Sequence, residues 1–274
     1  MITEFSYGPA GFPAYRIENE HATAIISRYG AHILSFAPRS TGELLMISGK
    51  SEWAMGAPIR GGVPVCWPWF GGAGNPAHGI ARRQLWDLVE LRTEADNSDT
   101  VVLELHTPEP DLTVRMTANF GASMTMTLTT RNTGSAPWLL SQALHTYFAA
   151  SAIANVEVSG LENAGYVDTV GGVRREMPGV PETIRFAEET DRYYHSAAPV
   201  ILTDAGNGRK LRISKEGSNE TVVWNPWIAK AQRMPDFGDE EYLQMLCIEA
   251  ANIPGVELAP GAEHTLTQRI EVLA

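Results

Sequence analysis

On either side of Gly121 and Ala122 the chain alternates apolar and polar residues. In VRMTANF, Val114, Met116, Ala118 and Phe120 fall on one side, with Arg115, Thr117 and Asn119 on the other. SMTMTLTT repeats the pattern, setting Met124, Met126 and Leu128 against a row of threonines. A period of two suits a half-buried strand and misfits a helix. The Gly-Ala step between the runs suits a tight hairpin connection.

The same grammar recurs along the chain. ATAIIS, HILSFA, ELLMIS, WDLVELR, TVVLELH, WLLSQALHTYF and NVEVSG are further candidate strands. PVILTD, KLRIS, TVVWN, YLQMLCIEAA and HTLTQRIEVL follow later. Turn-forming segments such as PRSTGE, EADNSD, RNTGSAP, DAGNGR and KEGSNE separate them. The 25 glycines and 17 prolines fit many strands joined by turns. So many strands without intervening amphipathic helices predict an all-β fold, antiparallel sheets in two layers. No linker, low-complexity tract or repeat divides the chain, so one β-sandwich domain over residues 1–274 is expected. Short helices are expected near KSEWAMG and WIAKAQRM.

Charge narrows the choice of partners. The net charge is -11 and no Lys/Arg-rich run occurs, which argues against nucleic acid or an anionic membrane held through a basic surface. No apolar stretch is long enough to span a bilayer, and MITEFSYGPAGFPAYRIENE lacks the basic start and apolar run of a signal peptide. Cys66 and Cys247 lie far apart in apolar surroundings, which fits two free thiols in a reducing compartment, with one disulfide as the alternative. A cytoplasmic monomer is the expectation.

Two segments place titratable groups where an ordinary core would not. On a strand through WLLSQALHTYFAA, His145 shares a face with Leu139, Ser141, Ala143 and Tyr147. The opposite face (Trp138, Leu140, Leu144, Phe148) is the better core face, so His145 points to a concave side or is a half-buried histidine satisfied by a carbonyl. In YLQMLCIEAANIPG, Glu249 sits among Met245, Leu246, Cys247 and Ile248, where an unpaired carboxylate is costly. Burial would raise its pKa toward the range of a general base; an inter-strand salt bridge is the alternative. FAEETDRYYHS offers Asp191 and Arg192, which read most simply as a solvated loop with a local ion pair.

The stretch RGGVPVCWPWFGGAGNPAHGIARRQLWDL supplies cations on irregular backbone: Arg60 before Gly61 and Gly62, His78 before Gly79, then Arg82 and Arg83. Guanidinium groups bind phosphate through paired, charge-assisted hydrogen bonds, although salt bridging is the default for any one arginine. Trp67, Trp69, Trp224 and Trp227 offer faces for a sugar ring or for core packing. The nucleotide-binding glycine loops, the nucleophile elbow and the zinc-protease helix motif are all missing. With seven scattered histidines and no close pair, no metal and no cofactor is expected.

Taken in order, RGGVPVCWPWFG, HGIAR, LHTYF, TDRYY, VVWNPW with Lys230 following, CIEAAN and LAPGAEHTLTQRIEV resemble the hexose-6-phosphate mutarotases (glucose-6-phosphate 1-epimerases) of the aldose 1-epimerase superfamily. The matching segments span most of the chain. The resemblance implies a galactose mutarotase-like β-sandwich with a few short helices. It also implies metal-free interconversion of the α and β anomers of a hexose 6-phosphate, glucose 6-phosphate first. By position, it makes His145 the general acid and Glu249 the general base. Arg60 and Arg82 become phosphate and sugar contacts, His78 a neighbour of the anomeric region and Asp191 a sugar-binding aspartate. Where some members carry Gln before the His-Gly pair this chain has Ala77, and Arg83 stands where Asn is common. The partner implied is a small sugar phosphate. A non-catalytic carbohydrate-binding protein, a glycoside-cleaving enzyme using Asp191 as second carboxylate, and a mutarotase for free aldoses remain as alternatives.

Overall fold

Alternation is expressed as antiparallel pairing. The structure, a computed structural model, describes residues 1–273. Its first four strands, Ile2–Tyr7, Phe12–Glu18, Ala22–Ser27 and His32–Pro38, pair in chain order as a small sheet. An eight-stranded sheet runs Val156–Ser159, Val200–Asp204, Arg209–Glu216, Glu263–Leu273, Ser123–Asn132, Asp111–Phe120, Asp99–Pro108, Asp87–Thr93. A second runs Arg175–Met177, Tyr166–Asp168, Thr190–His195, Glu220–Asn225, Met245–Leu258, Trp138–Leu144, Val65–Cys66, with Tyr147–Ala149 also paired to Met245–Leu258.

Side-chain period two decides what lies between the layers. Met124, Met126 and Leu128 point inward from one large sheet, and Leu144, Phe148, Val223, Leu246, Ile248 and Ala250 from the other, in one continuous core. Ile17, Ala24, Ile26, Ile33 and Phe36 of the small sheet join it. Buried Trp67 keeps its indole N–H satisfied by donating to Thr130 Oγ1 at 2.9 Å, and buried Trp86 by donating to the Ala81 carbonyl at 3.0 Å. Each fully buried aromatic of this kind contributes roughly 1.5–3 kcal/mol of hydrophobic stabilisation.

Several expectations are corrected. KSEWAMG forms turns rather than a helix. Trp53 packs against Tyr7 and Phe12, while Tyr29 Oη accepts from Gly56 N and donates to Ala57 O, so tertiary contacts replace helical hydrogen bonds. WIAKAQRM does hold a one-turn helix, Trp227–Ala231. ELLMIS makes only isolated bridges at Leu45 and Ile47. TDRYYH, read as a solvated loop, is the strand Thr190–His195 inside the second large sheet. The first two strands carry little sequence signal: Ile2–Tyr7 has no buried residue to set up an alternation, and Pro13 stands near the start of Phe12–Glu18. No helix among the described residues is long and apolar enough to cross a membrane.

Candidate active site

The second large sheet is sandwiched on one face only. Along Met245–Leu258, Leu246, Ile248 and Ala250 enter the core, so Cys247, Glu249 and Ala251 face the other way. Neighbouring strands add Tyr193, Val222 and Trp224 to that outer face, together with Asp191. Loops at its edge enclose a cleft of about 670 Å³ lined by Arg60, His78, His145, Asp191, Lys230 and Glu249 among others.

His145 reaches this cleft through a break in pairing. The strand Trp138–Leu144 stops before it and Tyr147–Ala149 resumes after it, both on Met245–Leu258. The interruption is held by its own bonds. His145 N donates to Pro64 O at 3.0 Å, and Thr146 Oγ1 donates to Gln268 Oε1 at 2.6 Å. Ala143 and Tyr147 lie on the cleft side and Leu144 and Phe148 on the core side, the alternation expected from sequence. Such irregularities re-aim a side chain next to functional sites.

His145 Nε2 lies 3.3 Å from Glu249 Oε1. Both residues are buried, at 7% and 1% relative exposure, so neither charge is freely solvated. His145 stacks on Tyr147 (4.8 Å, 13°) and meets Trp224 and His78 edge-on. Its Nδ1 and Glu249 Oε2 are buried without partners, a cost tolerated at functional sites more than elsewhere. Burial, reinforced by His78, Arg82 and Arg60, pushes the imidazole pKa well below its usual 6.5. Burial, reinforced by the Asp191 carboxylate, pushes Glu249 well above 4.5, while Arg82 acts in the opposite sense.

These directions concern a pair that shares one proton. With one proton it has no net charge, whether written as imidazole and carboxylic acid or as imidazolium and carboxylate. With two protons it is +1, with none it is −1, and burial disfavours both. The depressed histidine moves gain of the second proton to lower pH, and the raised carboxyl moves loss of the last to higher pH. The one-proton state is therefore bounded on the acid side by a step moved below the ordinary imidazole value of 6.5 and on the alkaline side by a step moved above the ordinary carboxyl value of 4.5. Activity should fall at both extremes of pH, its acid limb displaced downward and its alkaline limb upward in those directions. A kcat–pH profile whose acid limb lies above 6.5, or whose alkaline limb lies below 4.5, would contradict the shared-proton description.

The remaining expected residues divide between lining and support. His78 lines the cleft, and its ordinary pKa falls to about 3 through burial and the charges of Arg82, Arg60 and Lys230, so it is neutral. Its Nδ1 accepts from Gly71 N at 3.3 Å, which puts the ring proton on Nε2 as a donor for a ligand. Arg60 lines the cleft but is already engaged. Nε and Nη2 donate to the Asp236 carboxylate at 3.1 and 3.3 Å, and Nη1 to Tyr147 Oη at 2.9 Å. Gly61 and Gly62 carry positive φ, and a Cβ there would run into the Met46 and Ile33 carbonyls, so close backbone approach does require glycine. Arg82 is buried beside the cleft and is not among its lining side chains; Nη2 donates to Ala77 O at 2.8 Å and Nε has no partner. Asp191 lines the cleft and accepts from Lys230 Nζ at 2.9 Å, so its ion partner is Lys230 and not the adjacent Arg192, which turns to Asp168.

A model of the aldose 1-epimerase family matches residues 13–271. The chain belongs to the aldose 1-epimerase family. It is 36% identical over 258 residues (88% of this chain, 78% of the other) to a protein of Cenchrus ciliaris named "Putative glucose-6-phosphate 1-epimerase". An Escherichia coli K12 protein of the same name is 31% identical over 86% of this chain and 81% of its own. Among solved structures, a mutarotase-named protein, YeaD, from Salmonella typhimurium superposes with a TM-score of 0.88 at 28% identity, covering 99% of this chain and 93% of that one.

In this aldose 1-epimerase family member, sequence patterning missed the groups that complete the cleft. Lys230 was visible only as the basic residue after VVWNPW. Asp236 and Arg174 carry no local signal; folding brings Asp236 to Arg60 across 176 positions. Alternation places Tyr147 on the His145 face but does not show its bond to Arg60. Of the four tryptophans considered, only Trp224 lines the cleft, with Lys230 Nζ 5.6 Å from its ring centroid.

Proposed function

We propose that the chain interconverts the α and β anomers of a hexose 6-phosphate, glucose 6-phosphate first. The observation that carries the chemistry is the buried His145–Glu249 contact at 3.3 Å in a cleft of sugar-phosphate size. The phosphate is supported by the names of the relatives at 36% and 31% identity and by three cations on the cleft wall. Buried free thiols at Cys66 and Cys247 and a phosphorylated substrate fit a cytoplasmic enzyme.

In the reactive form Glu249 is the carboxylate and His145 the imidazolium. Glu249 takes the proton of the anomeric hydroxyl as His145 gives its own to the ring oxygen; the C1–O5 bond breaks and C1=O1 forms. The pair is then carboxylic acid and imidazole, still holding one proton, in the form that burial favours. Rotation about C1–C2 presents the other carbonyl face, and the two transfers run backwards to close the ring as the opposite anomer. A positioned acid and base contribute roughly 10²–10⁴-fold each. Neutral His78 offers Nε2–H to a sugar oxygen, Asp191 with Lys230 offers an acceptor and donors for hydroxyls, and Trp224 an apolar wall.

One observation favours a second reading, a mutarotase for free aldoses: Asp236 already compensates the charge of Arg60. Two-dimensional exchange NMR on glucose 6-phosphate beside glucose separates the two. The proposal expects stronger α/β exchange with the phosphate ester; no acceleration of either sugar would overturn it.

A further inference from the structure

Three cations line the cleft, and two of them are spoken for. Arg60 gives three of its nitrogens to Asp236 and Tyr147. Lys230 lies 2.9 Å from Asp191 and 3.4 Å from Glu189. Arg174 is different: among the described residues it makes no ion pair and no hydrogen bond, and its guanidinium carbon stands 5.3 Å from the centroid of the Tyr193 ring.

Its place in the fold suits a group that meets one end of a sugar. Glu249, Val222 and Tyr193 are register partners across three adjacent strands. Two strand spacings put Tyr193 about 10 Å from Glu249, so a cation over Tyr193 leaves room for one ring between itself and the catalytic pair. Arg174 reaches this point from the turn after Tyr166–Asp168, where Gly171 and Gly172 take φ of 74° and 76° with nothing within 4 Å of a would-be Cβ. An arginine over an aromatic ring keeps its N–H edges free for an anion while the face is packed.

We propose that Arg174 is the specificity-determining residue of this cleft, supplying the uncompensated charge that recognises the substrate's phosphate. The inference rests on the hexose-phosphate reading above. Arg60, fixed by Asp236, supplies shape and spare N–H groups; Arg174 supplies the charge.

Arg174→Ala, Arg174→Gln and Arg174→Lys test it by exchange kinetics on glucose 6-phosphate and glucose, with inorganic phosphate as a competing anion. Loss of a charge-assisted bond is expected to raise the KM for glucose 6-phosphate about 10–100-fold with kcat changed far less. The preference for the phosphate ester over glucose should fall by a similar factor in Ala and Gln, with inhibition by inorganic phosphate weakened in parallel and partly restored in Lys. A wild-type preference that survives intact in folded Ala and Gln variants overturns the role of Arg174 alone. Absence of any preference in the wild type overturns the phosphate reading and this inference together. Because Arg174 is exposed, loss of fold is not expected, and circular dichroism checks it.

Discussion

Glu249→Gln lowers kcat for anomer exchange of glucose 6-phosphate about 10²–10⁴-fold, the contribution of a positioned base, without lowering the melting temperature. The amide keeps the shape of the carboxyl but cannot accept the anomeric proton. The wild-type carboxyl is 1% exposed, with one oxygen 3.3 Å from His145 and the other unpartnered. A neutral isostere therefore gives up little stability and relieves a desolvation cost. His145→Ala should reduce kcat by a similar factor. The double variant should fall little further than either single one, because one shared proton makes the two residues a unit. Thermal melts and exchange kinetics on the same samples check both halves. A Glu249→Gln protein that keeps wild-type kcat removes Glu249 from the chemistry, and multiplicative losses in the double variant would contradict the shared proton.

Arg60→Ala should be costly in two separable ways. Its side chain and that of Asp236 retain 20% and 16% exposure, and the pair closes at 3.0 Å. Deleting the cation strands a mostly buried carboxylate, a change that costs about 3 kcal/mol in comparable settings. It also frees Tyr147 Oη, whose ring stacks on the His145 imidazole. Arg60→Ala with Asp236→Ala removes the stranded charge and should recover much of the stability, as read by chemical denaturation. What that double variant does not recover is the contact with substrate: affinity for glucose 6-phosphate should fall more than affinity for glucose. Equal losses for the two sugars would remove Arg60 from phosphate recognition and leave it as a support for Tyr147 and His145.

The fold was legible because period two is written into the sequence at VRMTANF and SMTMTLTT, where the apolar face is unambiguous and becomes core. His145 and Glu249 were legible for the same reason, since each stands on the face opposite a run of core residues. Thr190–His195 was not, because its polar side chains face a ligand cleft or pair across strands rather than face water, so alternation no longer separates wet from dry. KSEWAMG failed in the other sense, its local helical character losing to the packing of Trp53 and the bonds of Tyr29. Ion partners are the least legible class. Asp236 for Arg60 and Lys230 for Asp191 are set by topology, and Arg82 sits beside the cleft rather than in its wall because it is buried and its guanidinium turns to the Ala77 carbonyl.

A shared proton that opens and closes the hemiacetal leaves the anomeric oxygen in place. Glucose 6-phosphate carrying heavy oxygen at C1, followed by carbon NMR while the anomers exchange, makes that visible. Enzyme-dependent α/β exchange is expected with the label kept through many interconversions, and that acceleration is expected to be lost in Glu249→Gln. Label lost to water at each turnover would mean displacement at C1 instead of ring opening, and no enzyme-dependent exchange would mean that the His145–Glu249 pair does not catalyse mutarotation.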